Sequence, residues 1–275
     1  DVISIAKTGS GKTLAFLVPA LMRIFRFRRA SSSKVSARSK SYPGPLALVL
    51  APTRELAQQI SDVATEFGRL LSPNIYNTRC VGGEYKGEQL RSLKRHPEII
   101  IATPGRLNDF LDERKFSVSR VCYFVLDEAD RMLDMGFTPQ INRIVASLPT
   151  NRQNLFFSAT WPNEVQRIAQ NICRGDDRSI RIFIGDRNQE LTANPNIKQM
   201  FWFVDGSEKA ARCTDLLNTV IEHDPEAKII VFCQTKRRCD ELERLLRAEK
   251  RRAAAIHGDK EQKERDAVLK DFKTG

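Results

Sequence analysis

The sequence predicts an α/β protein in which buried parallel strands alternate with covering helices. Three observations carry that expectation. Short apolar runs recur without the apolar–polar alternation of a half-exposed strand, the pattern of strands covered on both faces. Stretches of helical spacing separate them, as crossovers between parallel strands require. The first run also leads directly into a glycine-rich turn and then a helix.

In chain order, strands are expected at residues 2–6, 46–51, 99–102, 123–126 and 154–158, then at 199–204 and 229–233. Helices are expected at 12–25, 54–70, 105–112, 162–172 and 236–249. The strand–helix alternation repeats in two blocks, residues 1–187 and 197–275, joined by a polar, turn-rich linker at 188–196 that ends in Asn194-Pro195-Asn196. Residues 26–45 depart from the alternation. Serines, Pro43-Gly44-Pro45 and a set of basic residues without an acid predict a flexible basic insert.

Composition bounds the partners. With 41% hydrophobic and 29% charged residues, the chain reads as globular. A net charge of +11 favours a polyanion, nucleic acid or acidic lipid, as the partner. The six cysteines show no CxxC pair or zinc-finger spacing, so reduced thiols in an intracellular setting, nucleus or cytoplasm, are expected. No apolar run approaches the ~20 residues that span a bilayer, and no membrane association is expected.

The chemistry concentrates after the strands. Ala6-Lys7-Thr8-Gly9-Ser10-Gly11-Lys12-Thr13 follows the first strand and opens a helix, the context of a phosphate-binding P-loop. Glycines let backbone N–H groups curl toward phosphate oxygens, and the helix N-terminus adds positive potential. Lys12 would supply a point charge to the β- and γ-phosphates, and Thr13 a hydroxyl ligand for Mg²⁺. The first position departs from the general pattern, being Ala6 rather than Gly. Farther along, the strand at 123–126 ends in Asp127-Glu128-Ala129-Asp130. Asp127 could hold Mg²⁺, partly through water, while Glu128 orients and deprotonates an attacking water.

Those letters, Asp-Glu-Ala-Asp, resemble the motif that names the DEAD-box ATP-dependent RNA helicases. Pro52-Thr53-Arg54-Glu55-Leu56-Ala57, Gly82-Gly83 and Thr103-Pro104-Gly105-Arg106-Leu107 resemble the family's next motifs in order. Ser158-Ala159-Thr160, Val231-Phe232-Cys233-Gln234-Thr235, and Gln262 with Arg265 resemble later ones. The stretch from Arg131 to Pro162 looks most like the p68-type branch.

The resemblance implies two RecA-like parallel-sheet lobes of the P-loop NTPase class, the second incomplete. It implies ATP and Mg²⁺ as cofactors, with Lys12, Asp127 and Glu128 as catalytic groups. Single-stranded and short duplex RNA is the implied partner, gripped by its backbone with little sequence preference at Pro52, Thr53, Arg54, Gly82, Gly83, Thr103, Pro104, Gly105, Arg106, Thr235, Gln262 and Arg265. Asp130, Ser158 and Thr160 are expected to couple nucleotide state to lobe closure through hydrogen bonds between their segments. The family's adenine-recognition and arginine-finger segments would lie before Asp1 and after Gly275. A chain cut at both ends, and poorly active alone, is therefore expected. A rival within the same motifs is an ATP-gated RNA clamp or remodelling platform without significant unwinding; protein partners are not indicated.

Overall fold

In a computed structural model of the chain, residues 1–7, 9–32, 44–173, 178–184 and 197–275 are described. They divide into two compact units, Asp1–Leu191 and Thr192–Gly275.

The first unit is built on β1 (Val2–Ala6), β2 (Ala47–Leu50), β3 (Asn77–Cys80), β4 (Ile99–Ala102), β5 (Tyr123–Leu126), β6 (Gln153–Ser158) and β7 (Ile180–Ile184). They form one sheet in the order β3-β4-β2-β5-β6-β1-β7, with every neighbouring pair parallel. Between them run α1 (Lys12–Ser32), α2 (Arg54–Arg69), α3 (Lys86–Leu93), α4 (Pro104–Asp112), α5 (Ala129–Asp134), α6 (Thr138–Ala146) and α7 (Asn163–Ile172).

The uninterrupted apolar runs are buried on both faces because successive side chains point to opposite sides. On one face Ala47, Val49, Ile101 and Val125 pack under Phe16, Leu17 and Ile24 of α1 and Ile60 of α2. On the other, Leu48, Leu50, Ile100 and Leu126 pack under Leu107 and Phe110 of α4, Met132 of α5 and Ile168 of α7. A buried Tyr123 hydroxyl donates to the Phe16 carbonyl at 3.0 Å, fastening β5 to α1.

β3 and β7 fall outside the expected strands. Asn77-Thr78-Arg79-Cys80 alternates between half-buried and buried positions, and β7 is exposed along its length. Both lie at the sheet's edges, so neither needs the continuous apolar run of a central strand.

The basic insert begins later than residue 26. α1 continues through Ser32, so Arg26, Arg28 and Arg29 are helical. Arg28 explains the extension: its Nη1 donates to the carbonyls of Pro73 (3.1 Å) and Asn74 (2.9 Å), and Nη2 pairs with Glu98. Glu98 in turn accepts from the Tyr76 backbone N–H. At the far end, Gly44 and Pro45 are buried. Residues 33–43, the rest of the insert, and the linker at 188–196 lie outside the described residues.

The second unit holds α8 (Lys209–His223), α9 (Lys236–Ala248) and α10 (Gln262–Thr274). The strands expected at 199–204 and 229–233 are not formed among the described residues. A strand is held by a paired neighbour, and neither run takes part in a ladder; Phe203 is 102% and Phe232 93% exposed. The apolar composition is there, but no partner strand covers it.

The Arg28 cluster makes a direct prediction. Arg28→Ala leaves the Glu98 carboxylate without its guanidinium and should cost about 1–3 kcal/mol. Hydrogen–deuterium exchange should rise in the last two turns of α1 while β1 stays protected. Unchanged exchange there would mean that something other than Arg28 holds the helix end.

Candidate functional site

Parallel strands carry their C-terminal ends to one edge of the sheet, and the sequence-identified residues of the first unit stand along that edge. They fall into two adjoining groups. One follows β1, β6 and β5, which are neighbours in the sheet; the other follows β2, β4 and β3.

In the first group β1 ends at buried Ala6. Gly9 and Gly11 adopt φ +78° and +82°, and a Cβ at either would meet nothing within 4 Å. These glycines therefore serve the left-handed backbone rather than close packing. Lys7 and Ser10 are exposed, and Thr8 is outside the described residues. Lys12 opens α1 and is only 9% exposed; its Nζ donates to the Ala6 carbonyl at 2.9 Å, folding the ammonium over the turn. Thr13 follows, half-buried.

Asp127 continues the β5 ladder by one residue, its N–H donating to the Leu50 carbonyl at 3.0 Å. It is 2% exposed. Burial pushes its carboxyl up to about 6; nearby Lys12 pulls it down, Glu128 and Asp130 push it up, and the Glu128 N–H, donating to Asp127 Oδ1, lowers it. Glu128 sits at φ 52°, ψ 52°. That left-handed turn costs a non-glycine residue on the order of 1–3 kcal/mol, and it swings the chain from β5 into α5.

Asp130 joins this segment to the turn after β6. Its Oδ2 accepts from the Ala159 N–H (3.2 Å), the Thr160 N–H (2.9 Å) and the Thr160 hydroxyl (2.9 Å). The expected contact from Ser158 is not made. Ser158 is the last ladder residue of β6, opposite Ile5, and its fully buried hydroxyl has no hydrogen-bond partner. The Ala159 amide makes the bond that a serine hydroxyl was expected to make.

The second group is cross-braced. Thr53 caps α2, its hydroxyl accepting from Leu56 N–H at 3.2 Å. Buried Pro52 precedes it. Arg54 lays its guanidinium against Gly83, whose φ of +76° favours glycine; a Cβ there would fall 2.1 Å from Arg54 Nη1 and push the guanidinium aside. That Nη1 is buried and has no acceptor. The Gly82 N–H donates to the Thr103 hydroxyl at 3.3 Å, and the Thr103 side chain makes no capping bond to α4. Pro104 occupies the first turn of α4, where its missing N–H costs nothing. Gly105 is exposed, and Arg106 Nη1 donates to the Glu84 carbonyl at 3.2 Å.

Thr235, Gln262 and Arg265 belong to the second unit. Thr235 caps α9, accepting from the Arg238 N–H. Gln262 opens α10, accepts from Arg265 and donates to Asp266 Oδ1 at 2.8 Å. His257 Nδ1 accepts the Asp259 N–H, which leaves Nε2 to donate to Asp240 at 2.9 Å.

Sequence reasoning missed Glu84 and Gln89. Glu84 contributes a backbone carbonyl, which no side-chain pattern reveals. Gln89 is a single amide in a short helix, indistinguishable in sequence from a solvent-facing one.

A parallel sheet with a P-loop and an Asp-Glu pair at the ends of β1 and β5 defines a RecA-like nucleotide-binding lobe. A DEAD/DEAH box helicase family model matches residues 1–168, and a helicase conserved C-terminal domain model matches residues 208–275. The chain belongs to the DEAD/DEAH box helicase family. It is 48% identical over 275 residues to DEAD-box ATP-dependent RNA helicase 40 of Oryza sativa subsp. japonica, covering all of this chain and 32% of that protein. It is equally identical, over 276 residues, to ATP-dependent RNA helicase p62 of Drosophila melanogaster, covering 36% of it. Probable ATP-dependent RNA helicase DDX17 of Mus musculus is again 48% identical, with 40% of its length covered. The chain thus spans well under half of these relatives. Among solved structures, the yeast DEAD-box splicing factor Prp28 superposes with a TM-score of 0.61 at 32% identity, over all of this chain and 59% of Prp28.

The buried carboxylate predicts a pH signature. An ordinary aspartate titrates near 3.9, so between about 4 and 6 the folded state binds the extra proton. Asp127 therefore lowers stability as pH rises through that window, by roughly 3 kcal/mol once both states are ionised. Without nucleotide or divalent metal, Asp127→Asn should melt several degrees above wild type at pH 7.5, the gap closing toward pH 4. Equal melting temperatures at both pH values would mean that the carboxylate is better solvated than its burial indicates.

Proposed function

We propose that this chain carries the ATP-hydrolysing and RNA-gripping machinery of an ATP-dependent RNA helicase. It would bind RNA through its backbone and separate short duplexes as ATP is hydrolysed. The observation that supports this most is the convergence of Lys12, Asp127 and Glu128 at the carboxyl ends of β1 and β5, on either side of β6.

The residues fit Mg²⁺ and a nucleoside triphosphate. Gly9 and Gly11 curl the backbone into an open turn, and Lys12 holds an ammonium over it, on the Ala6 carbonyl. Asp127 is a desolvated carboxylate whose charge calls for a cation. Thr13 and Asp127 are the residues that would hold the metal, Asp127 partly through water. When bound, Mg²⁺ neutralises charge developing on the transferred phosphoryl group. The chain's own contribution is orientation. Lys12 fixes the terminal phosphates, and Glu128, turned out of β5 by its left-handed backbone, takes the proton of the attacking water. Asp130 relays a shift of the 127–130 segment to Ala159 and Thr160.

On the second group of residues, amide N–H groups and guanidinium forks suit phosphate oxygens and read no bases, so little sequence preference follows. Preference for RNA over DNA would come from ribose hydroxyls. A basic surface of +11 supports polyanion attraction. Thr235, Gln262 and Arg265, in the second unit, are assigned to RNA binding as well. Such a protein works inside the cell, in nucleus or cytoplasm, and no helix among the described residues is long and apolar enough to cross a membrane.

Phosphate release from the intact polypeptide, with single-stranded RNA and with DNA of the same sequence, tests the reading. RNA should stimulate turnover and DNA should not; equal stimulation would make the protein a general nucleic-acid ATPase. Lys12→Ala should lower turnover by at least ~100-fold, and a mutant at wild-type rate would remove the P-loop assignment. Glu128→Gln should slow hydrolysis by roughly 10²- to 10⁴-fold while nucleotide and RNA affinities hold. Parallel loss of binding and rate would instead make Glu128 structural.

A further inference from the structure

We propose that Gln89 is a positioning residue for RNA binding, its side-chain amide serving as a surrogate peptide that sets the Gly82–Gly83 turn. This rests on the reading of Thr53–Arg54, Gly82–Gly83 and Thr103–Arg106 as the RNA-gripping group.

β3 is an edge strand, and its pairing with β4 ends at Cys80 opposite Ala102. Val81, the next residue, is fully buried. Its N–H and C=O have run past the ladder and face no strand, and burying both unpaired would be costly. Gln89 meets both. Its Oε1 accepts from the Val81 N–H at 3.1 Å, and its Nε2 donates to the Val81 carbonyl at 2.9 Å. The pairing fixes which end of the amide is which. Gln89 is itself only 5% exposed, and it reaches the turn from α3, seven residues beyond Gly82.

The turn fixed in this way is the hub of the cluster. Gly82 donates to Thr103, Gly83 is shaped to the Arg54 guanidinium, and Glu84 receives Arg106 through its carbonyl and Arg79 through its carboxylate at 2.7 Å. Residues from three separate strand ends thus take their relative positions from one stretch of backbone. Buried donors without a hydrogen-bond acceptor remain on Arg54 (Nη1) and Arg106 (Nε), the latter in a looser 3.7 Å ion pair with Asp109. Such donors bind a phosphate well only if the backbone holding them does not drift. Gln89 hydrogen-bonds through its side chain to Val81 and to none of these side chains. It acts through Val81, and so bears on how RNA is held rather than on ATP chemistry.

The test uses the 275-residue chain and a fluorescein-labelled single-stranded oligouridylate read by anisotropy. A fluorescent ATP analogue without RNA and thermal melting complete the measurement. Gln89→Met keeps the length and removes both hydrogen bonds; Gln89→Glu keeps the shape and the acceptor but loses the donor. Leu93→Ala, a buried truncation in the same helix, controls for simple destabilisation. Both Gln89 variants should bind RNA about tenfold more weakly, with ATP-analogue affinity unchanged. Leu93→Ala, at an equal or larger loss of melting temperature, should keep RNA affinity within about twofold of wild type. RNA binding by Gln89→Glu at wild-type strength would overturn the proposal, as would an RNA defect in Leu93→Ala matching its loss of stability. Absence of RNA binding by the unmutated chain would instead sink the underlying functional reading.

Discussion

Every neighbouring strand pair in the first unit is parallel, so each crossover must bring the chain back to the same starting end. The carboxyl ends therefore share one edge, and the loops that follow them cannot avoid one another. Helices cover both faces, leaving that edge and its opposite as the places where irregular backbone meets solvent. Ala6, Asp127 and Ser158 become neighbours across 152 residues of sequence because β1, β6 and β5 are adjacent in the sheet. Strand order likewise brings Thr53, Gly82 and Thr103 together.

The two groups on that edge are built on different physics. Around Asp127 the tension is electrostatic: a carboxylate taken out of water, opposed by two other acids and relieved only in part by Lys12. Around Gly83 the constraint is steric and geometric, with a guanidinium pressed where any side chain would stand. The first arrangement is relieved by positive charge brought beside it; the second rests on the left-handed backbone at Gly83. Glu128, strained into a left-handed turn, leads the chain out of β5 beside Asp127.

The central strands were legible because burial on both faces writes itself as an unbroken apolar run. The P-loop and the Asp-Glu pair were legible because their chemistry demands fixed residues at fixed spacing. The end of α1 was not. Arg26-Phe27-Arg28-Arg29 followed by serines reads as a solvated loop, and only the Pro73 and Asn74 carbonyls, 45 and 46 residues away, reveal why Arg28 stays helical. Ser158 misled for a related reason: the reading assigned the bond to a hydroxyl, while the structure gave it to the next residue's amide. Gln89 was invisible because its partner is backbone. In the second unit the apolar runs at 199–204 and 229–233 were expected to be strands and form none among the described residues, because a strand also needs a neighbour and single-segment patterns do not report one.

The Asp130 contact has a mechanical consequence. One carboxylate oxygen accepts from two amides and a hydroxyl at once, so the segment after β5 and the turn after β6 are fastened through a single atom. Moving that oxygen strains all three bonds together, which makes Asp130 a rivet between two strand ends rather than one contact among several.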